Sequence, residues 1–180
     1  MQLCIFVAIP SAILMAVLQS TVTPQLDLFG ASPDLVLLLV VSWALLRGIQ
    51  EGVVVALAGG MVLDALSGAP FGLGAAALLV AGVLAGLGGG AAVHTSLSLG
   101  SGLLDTMALR LIIVVLVTWI YYGFLAFFLR LSGEVMSAGL ALGQIVLPTA
   151  FLNMLCMLPI YGLVRLVVAR SQTEEPMEWQ

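Results

Sequence analysis

Lysine is absent from this 180-residue chain, and only 8% of its residues carry a charge of either sign. Soluble domains run at about 25% charged residues, so a hydrated globular surface is excluded. The five basic residues are all arginine and lie scattered between Arg47 and Arg170, which leaves no basic patch for nucleic acid. The formal net charge of −4 does not describe an acidic surface either. Glu174, Glu175 and Glu178 account for three of nine acids; without them six acids face five arginines, a difference of −1. Cysteine is nearly missing: Cys4 and Cys156 stand alone in apolar runs, read as small buried hydrophobes, and make no disulfide framework or metal cluster. The single histidine, His94, sits in a Gly- and Ser-rich stretch and reads as an ordinary solvated residue. No Ser/His/Asp arrangement, glycine-rich phosphate loop or usable pair of carboxylates is present, so nothing indicates an enzyme, cofactor or metal. The N-terminus has no basic region ahead of its apolar run, which reads as a retained first span and not a signal peptide.

What fills the chain instead is apolar: 62% hydrophobic residues, at a mean hydropathy of +1.24. A helix needs about 20 apolar residues to cross a bilayer. Six runs approach that length, at about 3–22, 31–47, 51–67, 70–93, 102–130 and 136–169. The expected fold is an all-α integral membrane protein, a six-transmembrane-helix bundle over 1–170, with 171–180 a mobile acidic tail. The second and third runs are short and could form a re-entrant hairpin. That would sink Arg47 and Glu51 into the membrane at high cost, so two closely packed spans are expected. With the N-terminus in the cytoplasm, Arg47, Arg165 and Arg170 fall inside and Arg130 outside, with Arg110 in snorkelling reach. The positive-inside rule thus puts both termini in the cytoplasm.

Local signals mark the span ends. Ser32-Pro33-Asp34 reads as a helix start, with Ser or Asp accepting orphan N–H groups. Ser67-Gly68-Ala69-Pro70 reads as a helix stop and tight turn, facing outward on this orientation. Gly88 to Ser101 reads as a longer cytoplasmic connection. Within the third span Gly48, Gly52, Ala56, Gly60, Asp64 and Gly68 recur every four residues, a slanting small-residue stripe that lets a neighbouring backbone approach. The fourth span repeats the device at Gly74, Gly82, Gly86 and Gly90, so these two spans should pack tightly.

Asp64 is the exceptional residue, a carboxylate near the end of an uncharged apolar run. It faces the negative end of its own helix dipole, so water, an N–H of the following turn or a partner group must compensate. Two roles stay open for it: ordering the outer turn, or touching a partner or polar ligand. Asp105 and Arg110 are about 140° apart on a helix and poorly placed to pair; Arg110 is expected to pair across helices or reach lipid phosphates. Gln19, Gln144 and Asn153 suit interhelical hydrogen bonds. Trp119, Tyr121 and Tyr122 look like packing aromatics, and Pro148 and Pro159 should bend or break the last span.

Three segments carry a family resemblance. They are Ser32-Pro33-Asp34-Leu35-Val36-Leu37-Leu38, Arg47-Gly48, and the run from Gly60 through Asp64, Ser67 and Gly68 to Gly72. With Leu18-Gln19 and Pro24 ahead of them, the chain resembles the bacterial rod shape-determining protein MreD family, most specifically over 18–72. The resemblance implies a non-enzymatic membrane component of the cell-elongation machinery. Such a protein binds the MreC scaffold and helps control lateral peptidoglycan synthesis and cell shape. It works with MreB filaments, the glycosyltransferase RodA and its penicillin-binding transpeptidase. It also implies a fold similar to the substrate-binding component of energy-coupling-factor transporters, and Gln19, Pro33, Asp34, Arg47, Gly48, Gly60, Asp64, Ser67, Gly68 and Gly72 as structural or partner-binding positions. The alternative is a small-molecule, vitamin-type binding subunit of a membrane transporter, with polar groups near Asp64, Gln19 or Asn153 lining an outward cavity.

Overall fold

The second helix explains the rest of the architecture. In a computed structural model describing residues 2–22, 32–67, 70–99, 103–131 and 146–172, all regular structure is helical. The elements are α1 (Gln2–Val22), α2 (Leu35–Arg47), α3 (Ile49–Ser67), α4 (Leu73–Leu99), α5 (Leu103–Leu131) and α6 (Leu147–Gln172). Every residue of α2 from Val36 to Ala44 is buried, and a helix that is apolar all round belongs inside a bundle. It touches each of the other five helices. Its 13 residues give a length of about 20 Å, well short of the ~30 Å hydrocarbon core. Burial on every side removes the need for a longer apolar surface.

Four helices among the described residues are long and apolar enough to cross a membrane: Ile49–Ser67, Leu73–Gly90, Met107–Phe128 and Leu147–Arg170. The apolar part of α1, Phe6–Val22, is shorter, as is α2. Around α2 the neighbours close in through small residues. Ala8, Ala12 and Ala16 of α1 are buried at intervals of four. Gly60 of α3 lies so near α4 that a Cβ there would stand 2.5 Å from the Cα of Ala75. The α2–α3 joint is a single residue, Gly48, at φ +87°, a backbone conformation that side chains disfavour. Its N–H still bonds Ala44 O at 2.8 Å, so the break leaves no orphan donor there.

Three expectations change. The proposed connection from Gly88 is helical as far as Leu99. No proline interrupts it, and an unbroken hydrogen-bond ladder offsets the weak helix propensity of its glycines. The last span is continuous rather than broken: Pro148 falls in the first turn, where no ladder bond is lost, and Pro159 is carried within the helix. Pro33 precedes the helix instead of opening its first turn, and Asp34 caps it. The acidic tail beyond Gln172, Gly68 and Gln144 lie outside the described residues, as do the side chains of Cys4, His94 and Asp105.

Candidate functional site

Polar side chains gather at the two ends of the short α2. At the end that also holds the C-terminus of α3 and the N-terminus of α4, two carboxylates are buried, Asp34 and Asp64, each 4% exposed.

Asp64 reaches back from α3 to the start of α4. Its Oδ2 accepts from the N–H groups of Gly72 at 2.9 Å and Ala75 at 3.0 Å, and its Oδ1 from Gly74 at 3.1 Å. The first N–H groups of a helix have no partner within the helix, and the dipole makes that end favourable to an anion. The unfavourable position of Asp64 on its own helix is thus offset by a favourable one on the next. Gly72 turns the chain at φ +95°. A Cβ on Gly74 would run into Asp64 Oδ1, so a larger residue there would push the carboxylate aside. Ser67 donates from its hydroxyl to Asp64 O at 3.4 Å.

Asp34 performs the same service for α2 with more partners. Its Oδ1 accepts from Leu37 N at 3.2 Å. The first turn of α2 is also satisfied from outside: Val36 N donates to Gln19 Oε1 at 2.8 Å, and Asp34 N to Asn153 Oδ1 at 2.8 Å. Asn153 in turn donates through Nδ2 to Thr118 Oγ1 at 3.4 Å, and Thr118 donates to Val114 O at 2.8 Å. The Gln19 side chain and the hydroxyls of Tyr121 and Tyr122 lie close to the Asp34 carboxyl. Side chains of α1, α5 and α6 therefore converge on one helix start.

At the opposite end, across Gly48, Arg47 and Glu51 form a two-pronged ion pair. Nε lies 3.2 and 3.1 Å from the two carboxylate oxygens and Nη2 lies 2.9 Å from Oε1. Glu51 also accepts from Trp43 Nε1 at 3.1 Å. The charges that made a deep hairpin costly neutralise each other here, in the paired and hydrogen-bonded form that burial demands.

The sequence-derived positions thus fall in separate places. Gln19, Pro33 and Asp34 share one cluster; Asp64, Ser67 and Gly72 form a second beside it; Gly60 lies on the α3–α4 contact; Arg47 and Gly48 occupy the far end. Sequence reasoning did not find the convergence of Tyr121, Tyr122 and Asn153 on Asp34, nor the Trp43–Glu51 bond. It also passed over the Ala8-Ala12-Ala16 stripe, although the same four-residue count that flagged α3 would have revealed it. Chemically, Asp64 serves three backbone N–H groups and Asp34 one, while Glu51 serves the Arg47 guanidinium and the Trp43 indole. No group of three or more His, Cys, Asp or Glu that could hold a metal occurs among the described residues.

A sequence model of the family described as rod shape-determining protein MreD matches residues 1–170. No curated protein and no solved structure matches the chain.

Proposed function

The chain belongs to the rod shape-determining protein MreD family, and from that premise we propose that it is a non-enzymatic integral adaptor of the cell-elongation machinery. Its family places it in rod shape determination, and its apolar helices make it a multi-pass membrane protein. In this reading it holds the transmembrane helix of an MreC-type scaffold and so biases lateral peptidoglycan synthesis. RodA, its penicillin-binding transpeptidase and MreB filaments are the wider partners. Both termini face the cytoplasm of the inner membrane, which puts the Asp34–Asp64 end outward, and 1–170 act as one membrane domain ahead of an acidic tail. Likeness to the energy-coupling-factor binding component is part of the same proposal.

The observation that carries the reading, beside the family match over 1–170, is how the buried polar groups are used. A transporter-type binding subunit needs Gln19, Asn153 or Asp64 directed at a ligand. Here Gln19 and Asn153 accept from α2 backbone N–H groups, and Asp64 from three N–H groups of the α4 start. Such groups order helix ends and leave recognition to shape and apolar surface.

The test is co-expression with an MreC-type scaffold and co-purification in mild detergent. The complex should be recovered with the unaltered chain and lost with Gly60→Leu, which forces α3 from α4. A chain that folds in detergent yet never retains the scaffold would refute the adaptor reading.

A further inference from the structure

Arg110 of α5 and Arg165 of α6 flank Tyr161 at the seam between the two helices. The Arg110 guanidinium lies over the ring of Tyr161, 4.8 Å from its centroid, and Tyr161 is buried. Arg165 stands one turn along α6 from Tyr161, on the same face. Stacking engages the flat face of a guanidinium and leaves its edge N–H groups available. The hydrogen bond described for Arg110 is a weak one, to Met107 Sδ at 4.0 Å. Arg110 is half-buried and Arg165 exposed.

Neither cation has a carboxylate partner among the described residues. Glu51 is held by Arg47 and Trp43, while Asp34 and Asp64 cap helices at the opposite end. Both arginines nevertheless fall within apolar spans, Met107–Phe128 and Leu147–Arg170. Charges in such positions need a counter-charge or a route to the headgroup layer.

We infer that Arg110 and Arg165 form a clamp for the phosphate of an anionic phospholipid at the α5–α6 seam. A guanidinium presents two parallel N–H groups that match two phosphate oxygens. Stacking on Tyr161 orders Arg110 in advance, and exposed Arg165 is free to close on the same headgroup. Ile112, Leu163 and Leu166, 54%, 56% and 65% exposed, flank the pair in sequence and offer apolar surface to the acyl chains. Two positive charges favour cardiolipin or phosphatidylglycerol over phosphatidylethanolamine, whose ammonium cancels its phosphate. The inference does not depend on the adaptor role.

Native mass spectrometry of the full chain in detergent, titrated with each lipid, tests it. The unaltered protein should retain cardiolipin and phosphatidylglycerol in preference to phosphatidylethanolamine. The double variant Arg110→Gln, Arg165→Gln should weaken anionic-lipid retention roughly 30-fold, from about a factor of five per arginine. Arg130→Gln, at the other end of α5, should leave it unchanged. Tyr161→Phe should bind as the parent does and Tyr161→Ala several-fold more weakly, with lipid-free melting temperatures confirming that each variant is folded. Equal retention by the folded double variant would overturn the clamp.

Discussion

The block formed by α2, α3 and α4 differs from the α5–α6 pair in what its side chains face. In α2 nine successive residues are buried, and Gly60 brings α3 against the backbone of α4. Along α5, by contrast, Ile112, Leu116, Trp119, Ile120, Phe127 and Phe128 are exposed, and along α6 Leu147, Phe151, Leu155 and Leu158. In lipid the hydrophobic effect gives neighbouring helices no reason to associate, so close contact must come from shape and hydrogen bonds. The first block has both: small residues along its contacts, and side chains sealing the helix ends. The second shares the block's buried apolar core through Val114, Val117, Met157 and Val164, adds the Asn153 bond to Asp34, and leaves its other large side chains exposed. Rigidity and surface are thereby assigned to different parts of one small bundle.

The harshest way to break this contrast is to wedge the block. Gly60→Leu must displace the Ala75 backbone and should cost about 3 kcal/mol or more, seen as loss of the monodisperse peak or a collapse of the melting temperature in detergent. Glu51→Ala removes the carboxylate that Arg47 and Trp43 share and should cost about 3 kcal/mol. Restoring neutrality with Arg47→Met in the same chain should recover much of that loss. Asp64→Ala orphans three N–H groups at the start of α4 and should cost about 2 kcal/mol. At the low end, Leu155→Ala on the lipid-facing side of α6, 63% exposed, should change stability by less than about 0.5 kcal/mol. A large effect there would mean that the α5–α6 face is packed against something other than lipid.

Much of this arrangement was legible from residue patterns. Apolar runs and charge scarcity gave the helical membrane class, and the four-residue small stripe pointed to the α3–α4 contact where Gly60 meets Ala75. That Asp64 needs a compensating group, whether water, an N–H of the following turn or a partner, followed from its place at a helix end; the structure supplies three N–H groups. Other features were hidden because they depend on distances in space. Nothing in the local sequence of Asn153 says that it meets Asp34, 119 positions earlier. Tyr121 and Tyr122 resembled packing aromatics because a hydroxyl on an apolar span does not reveal its acceptor. The Gly88–Ser101 stretch was misjudged by composition: glycine and serine suggest a loop in water, but without proline the ladder can continue to Leu99.

On the adaptor reading, the buried groups Gln19, Asp34, Asp64 and Asn153 order helix ends and are not directed at a small ligand. Hydrogen–deuterium exchange on the protein in lipid nanodiscs tests it most directly, read at the amides of Gly72, Gly74 and Ala75. The account predicts strong protection in the unaltered chain and near-complete loss of it at those three amides in Asp64→Ala, with α5 unaffected. Unchanged protection in the variant would contradict it and free Asp64 for another role.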